Sequence, residues 1–363
     1  MVQQRQTLRS ERERLKMEER GDPTQEHGTY RKPRVFVKGL ESLKYNLNEA
    51  RANMLADIPR VLHPRRMSGI PGENTLIEPG TDPFRSQSLH VYLRTIAPGS
   101  RNEGHGHQNE ALFYILKGDG WEEHDGVEWP WNEGDVVSIH NDSVHWHCNS
   151  SQTEWSESLV FKAKPMWLFM GLEQQGEIGF KPPDLDKRGP RMNYEVARRP
   201  EDIQGKVKVI KPDMVPWEWN QHGHMKKMAG TGVPLRVKAT TFNIQDIPAG
   251  SRTGKRWDMG DQFVYFLEGS GYSLHWDVAV EIADQFYGRQ ALEPTRWEWK
   301  AGDFMWIPTN MVYQHFNTDP TTPAKFVTGY NTAFEWMGYQ SVDLEPCPEW
   351  EILQAREGAA ATK

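Results

Sequence analysis

Cysteine is nearly absent: the chain of 363 residues has only Cys148 and Cys347, far apart and in no CxxC spacing. That excludes a disulfide framework or a thiolate metal cluster and points to a reducing compartment. Long apolar runs are absent as well, and no stretch of about 18 apolar residues offers a membrane span. The opening segment MVQQRQTLRSERERLKMEERG has no apolar core, so no secretory signal is expected and the chain reads as soluble and cytoplasmic. Basic excess is missing too. The formal charge is −7 with no basic face along the chain, which argues against nucleic acid as a partner. Apolar residues reach only 37%, yet 15 Trp, 14 Phe and 11 Tyr supply bulk. Each buried aromatic removes on the order of 150–250 Å² from water, so a sizeable core is within reach.

The organisation is legible in texture. Residues 4–20 are dense in Glu, Arg and Lys and predict a solvated helical arm; Tyr45–Asp57 predicts a second helix ending before Pro59. A Pro- and Gly-rich loop follows. From Ser88 the chain turns to short β-type runs, SLHVYLRTI, EALFYILKG, GDVVSIH and SLVFKAKPMWLFM, split by turn signals. The β texture returns after a Pro-, Gly- and Lys-rich stretch, as LRVKATTFNI, DQFVYFLEG, GYSLHWDV, GDFMWIP and KFVTGYN. The division expected is an arm and loop (1–70), a first barrel (71–175), a linker (176–232), a second barrel (233–345) and a tail (346–363).

The two β blocks are copies. IAPGSRNEGHGHQNEALFYILKGDG aligns with IPAGSRTGKRWDMGDQFVYFLEGSG, and NEGDVVSIHNDSVHWHCN with KAGDFMWIPTNMVYQHFN. The second copy carries an insert, DQFYGRQALEPTR, expected as a longer loop.

In the first copy His105 and His107 are two apart, so on a strand both imidazoles face one side; His145 and His147 repeat this further on. Two such strands inside a small barrel can bring three nitrogens onto one face of a metal ion and leave the opposite positions open. The competing reading is a structural histidine cluster, which would leave many buried donors and acceptors to satisfy.

The blocks resemble cupin barrels. The first motif runs Gly99, His105, His107, Gly118; the second runs Gly134, His140, Asp142, His145, Asn149, with His140 and Asp142 where the cupin pattern has Pro and Gly. The pair resembles the bicupins of the gentisate 1,2-dioxygenase group over about residues 100–345. The resemblance implies an all-β fold of two tandem cupin barrels (double-stranded β-helix, jelly-roll) behind an N-terminal helical arm. Where many cupins carry a carboxylate ligand this chain has Ala111. Glu110 is adjacent, but the neighbouring residue on a strand faces the other way unless a bulge intervenes. A three-histidine site of His105, His107 and His145 is therefore expected, and the same ligand set with Fe(II) is what the group implies, one ion per chain. HxHxxxAL of that group is matched by His105, His107, Ala111 and Leu112. His147 stands where the group has a histidine that helps bind substrate and oxygen; its bland alternative is a packing histidine.

The resemblance also implies a reaction: cleavage by O2 of the ring bond between the hydroxyl- and carboxyl-bearing carbons of gentisate, a salicylate or a hydroxynaphthoate. One departure bears on it. The group has Arg directly after the AL pair, to hold the substrate carboxylate, and this chain has Phe113. Arg65, Arg66 and Arg94 are the remaining candidates, each also readable as a solvated arginine. Two other readings stay open: an oxygen-independent metal cupin (decarboxylase, isomerase or hydrolase) and a non-catalytic binding cupin. In the second copy Arg256, Asp258 and Tyr313 stand at the positions of His105, His107 and His145, so no metal is expected there; an Arg256–Asp258 pair would fill the space. His222 and His224 read as loop packing, and His90, His124, His140, His275 and His315 as ordinary barrel or loop residues. The charged arm, with the group's habit, implies a homodimer or homotetramer.

Overall fold

The computed structural model describes residue 55 and residues 58–361, apart from 68, 79–85, 87, 141–142, 170–174, 179–186, 188, 190–206, 236, 283–285 and 340. Both expected N-terminal helices lie almost entirely outside these residues. The chain divides into two compact units, one of residues 1–58 with 276–295 and one of residues 59–275 with 296–363. The first barrel belongs to the second unit, as does the second barrel apart from residues 276–282 and 286–290.

Short β-branched and aromatic runs alternate inward and outward and pair antiparallel throughout. In the first barrel one sheet has the spatial order Val209–Ile210, Val136–Ile139, Ala111–Lys117, Ser156–Lys162, His90–Ile96, Gly72–Ile77. Facing it lie Gln175–Glu177, His105–His107, Val144–Asn149, Asp119–His124 and Val127–Asn132. Tyr92, Phe113, Ile115, Trp131, Val137, Ile139 and Val160 fill the space between. The second barrel repeats the plan around Val264, Phe266, Trp299, Met305, Met311 and Phe326. The fold is the expected tandem pair of barrels.

The connecting stretches are built into the sheets. Val61–Leu62, before the first barrel, pairs with Phe304–Ile307 of the second. Val209–Ile210, before the second barrel, pairs with Val136–Ile139 of the first. Those two receiving strands are equivalent in the internal alignment, so each barrel takes its covering strand from the segment preceding the other. Glu218–Trp219 and His224–Ala229, also in the stretch read as linker, extend the second barrel's first sheet. The barrels also pack face to face outside their cores: the rings of Phe161 and Phe263, one from each barrel, lie 5.0 Å apart, and a Cβ on Gly329 would stand 2.5 and 2.8 Å from Phe263 and Phe161.

Two segments differ from expectation. The insert expected as a loop is part of a ribbon in which Ser270–Ile282 pairs with Phe286–Gln290. Its alternating valines and aromatics satisfy the backbone by pairing instead of exposing it. The tail carries the helix Pro348–Ala361, started by Pro at its first position with Glu349 and Glu351 in the first turn, where the helix dipole favours them. Cys148 and Cys347 are buried free thiols. Among the described residues no helix is long and apolar enough to cross a membrane.

Candidate metal centre

The site is assembled by strand register. His105 sits opposite His145, and on the far side of that strand His124 is opposite His145 and Glu122 opposite His147. Period-two alternation then turns His105, His107, His145 and His147 into the barrel. Gly104 is required for this approach, since a Cβ there would stand 2.4 Å from the Trp146 ring. Asn102 ties the strands together by accepting the His147 backbone N–H at 2.6 Å.

Ligand-capable nitrogens of His105, His145 and His147 lie within 4.8 Å of one another, and all three residues are buried. His107 falls outside that set but packs beside it, its ring centroid 5.0 Å from that of His145. Every one of the four rings is anchored through Nδ1: His105 to Glu103 O (3.0 Å), His107 to Asn109 O (2.6 Å), His145 to Ser143 O (3.1 Å) and His147 to Glu122 Oε2 (2.5 Å). Such anchoring fixes the tautomer and leaves Nε2 with its lone pair.

The His145 Nε2 is buried with no hydrogen-bond partner. An orphaned buried acceptor is costly, and a cation removes the cost. Burial lowers the pKa of all four, His107 to about 3 and His145 and His147 well below the ordinary value; the nearby Lys162, the other imidazoles and Arg94 respectively add to this. Neutral imidazoles at neutral pH are what a metal ion needs, so the residues present fit one.

A cleft beside His105 has a volume of about 460 Å³ and is lined by Glu73, Arg94, Asn102, Glu103, His105 and Glu177. Arg94 therefore shares a cavity with His105; its Nη1 pairs with Glu73 at 3.5 Å. Arg66 is engaged elsewhere, on the buried Glu157 at 2.6 Å, and exposed Arg65 is not among the residues lining the cleft. Phe113 is buried with its ring 4.5 Å from that of His147. Glu110 points away from the histidines: its Oε2 accepts the backbone N–H groups of Lys238 and Ala239, each at 2.7 Å. No bulge turns it inward.

In the second barrel Arg256 lies opposite Tyr313, as His105 does opposite His145. The expected Arg256–Asp258 pair is replaced by another arrangement. Arg256 Nε donates to Asp343 at 2.8 Å, because the edge strand Val342–Glu345 sets Asp343 beside it. Asp258 instead accepts the Tyr313 hydroxyl at 2.6 Å and the Gln262 amide at 2.5 Å. His222, read as loop packing, is buried against Tyr313. Reasoning from the sequence missed Glu122 and Asn102 and read His124 as an ordinary barrel residue, which it is, buried with its ring 5.8 Å from that of His145. A signal existed for Glu122: it and His124 are two apart in DGWEEH, hence on one face of a strand.

The model of the cupin domain family matches residues 92–159. Among solved structures, the chain is similar to salicylate 1,2-dioxygenase from Pseudoaminobacter salicylatoxidans in its gentisate adducts, at 12% identity and a TM-score of 0.54 over 89% of this chain and 96% of that one. It is also similar to the formate complex of oxalate decarboxylase from Lactobacillus farciminis, at 13% identity and a TM-score of 0.50 over 71% of this chain and 80% of that one. At these identities the likeness is one of fold. No curated protein sequence matches.

Proposed function

We propose that the chain is an Fe(II)-dependent dioxygenase that opens the ring of a hydroxylated aromatic carboxylate such as gentisate, salicylate or a substituted salicylate. The observation that carries this reading is the buried set of His105, His145 and His147, with His107 packed beside it, next to a cleft that His105 shares with Arg94. His105, His107 and His145 are the proposed ligands. When bound, a ferrous ion supplies electron density to dioxygen and the open positions at which substrate and oxygen meet.

The chain's own residues do the rest. Arg94 pairs with the substrate carboxylate and sets the ring's orientation. His147, whose ring centroid lies 5.8 Å from that of His105, takes the proton of the substrate hydroxyl at Nε2. Phe113 backs that imidazole and keeps water from it. In the net reaction the carbon–carbon bond between the hydroxyl- and carboxyl-bearing carbons breaks and both atoms of O2 enter the product. The proposed assembly is a homodimer or homotetramer in the cytoplasm.

A second reading has its own support. Glu103 and Glu177 at the cleft disfavour an anionic substrate, which suits oxygen-independent metal chemistry on a less charged molecule. Oxygen uptake by anaerobically iron-loaded protein decides between them. Uptake matching gentisate, salicylate, substituted salicylate or 1-hydroxy-2-naphthoate consumed one for one, and lost in His105→Ala, is expected. No uptake with any of them at one iron per chain would overturn ring cleavage.

A further inference from the structure

We propose that Glu122 is the positioning residue for His147, a buried carboxylate that holds the imidazole with Nδ1 protonated and Nε2 turned into the metal cavity. The inference rests on the reading of His147 as the group that meets substrate.

Its first support is geometric. Glu122 is 1% exposed and His147 is 1% exposed. They stand opposite each other in register, and the Nδ1–Oε2 distance is 2.5 Å. With Nδ1 committed to the carboxylate, the nitrogen left to His147 is Nε2, the atom available to the set it forms with His105 and His145. A carboxylate on the far nitrogen locks ring orientation and raises the basicity of the near one. Burying a carboxyl group is costly unless it is compensated, so a residue of this kind is not a neutral filler.

The second support is the duplication. GWEEH of the first barrel aligns with GYSLH of the second, placing Ser273 at the position of Glu122 and His315 at that of His147. Ser273 Oγ stands 2.6 Å from His315 Nδ1. The surrounding scaffold is kept as well: the backbone N–H of His315 is accepted by Thr253 as that of His147 is by Asn102. Asn149 and Asn317 make the same three side-chain bonds to main-chain carbonyls. What differs is the anchoring group. The barrel with histidines at all the ligand positions holds this imidazole on a carboxylate; the barrel with Arg256, Asp258 and Tyr313 there holds it on a hydroxyl. Anchoring alone needs only the hydroxyl, so the carboxylate serves the metal cavity.

The test uses full-length protein with histidine selectively labelled with 15N, loaded with zinc, and the variants Glu122→Gln, Glu122→Ser and Ser273→Ala. Glu122→Gln is isosteric and preserves the fold; Glu122→Ser copies the second barrel. In the parent the His147 signals are expected to report protonated Nδ1 with a strongly hydrogen-bonded proton. Both Glu122 variants should lose that proton signal. Ser273→Ala should leave it unchanged. With a substrate that is turned over, Glu122→Gln should lower kcat by roughly 10²-fold with KM little changed and displace the pH profile. An unaltered His147 tautomer and proton signal in both Glu122 variants would overturn the proposal. If no aromatic acid is turned over, ring cleavage fails while the tautomer result still decides the role of Glu122.

Discussion

Arg94 and Glu73 hold the balance of charge in the cleft. The guanidinium is mostly buried and the carboxylate, 48% exposed in its side chain, stands 3.5 Å away. With Glu73 half exposed and the separation long, solvent screening holds the pair to about 0.2–1 kcal/mol, so a substrate carboxylate that takes Arg94 must first displace Glu73 at that cost. Glu73→Gln is therefore expected to tighten binding of salicylate about 1.5- to 5-fold, and Arg94→Met to weaken it by roughly tenfold or more, the value of one charge-assisted hydrogen bond. Titration of the metal-loaded protein by tryptophan fluorescence would measure both. Unchanged affinity in Arg94→Met would place the carboxylate elsewhere in the site. Phe113 makes Arg94 the more important, because at the position where the resemblance implies an arginine the chain has only a ring packed on His147.

At the level of the strand, the His105–His107 segment owes its place to Gly104. A methyl group there would meet the indole of Trp146 at 2.4 Å, an aromatic system that cannot yield at one end. Gly104→Ala is expected to cost about 1–3 kcal/mol in denaturant unfolding and to weaken metal binding, and adding Trp146→Ala should recover most of the metal affinity. A metal affinity equal to the parent in Gly104→Ala would show that the strand tolerates the shift. This strand is also where the sequence was most informative. The two-residue spacing of His105 and His107, repeated at His145 and His147, predicts a shared face, and the strands pair as that requires. The inward faces and the duplication were legible for the same reason, since both repeat in period and in motif. Val61–Leu62 and Val209–Ile210 were not legible. Two-residue strands carry no periodicity, and their partners lie hundreds or tens of residues away, so nothing local specifies the pairing. Glu122 escaped for a related reason: its role depends on the cross-strand partner His147, which register alone reveals.

Across the whole molecule the exchanged strands and the Phe161–Phe263 contact make the two barrels one cooperative body. Buried neutral histidines are spread through both. Burial lowers His107 and His124 to about 3 in the first barrel and His315 to about 3 in the second, with His145, His147, His222 and His275 held well below the ordinary value. In the unfolded chain these groups take up protons near the ordinary imidazole value of about 6.5. The unfolded state then binds more protons than the folded one at every pH between 6.5 and about 3, so stability is fully present above 6.5 and falls as the pH drops through that window. Glu122 works in the opposite sense, because burial raises its pKa well above the carboxylate value and its contribution is lost as pH rises; one such group does not offset the many imidazoles. Metal-free protein is therefore expected to show a lower denaturant midpoint at about pH 5 than at about pH 7, with unchanged slope and a single transition at both. Two separate transitions would mean that the exchanged strands do not couple the barrels, and a midpoint that rises on acidification would mean that the buried carboxylate, not the histidines, sets the pH response.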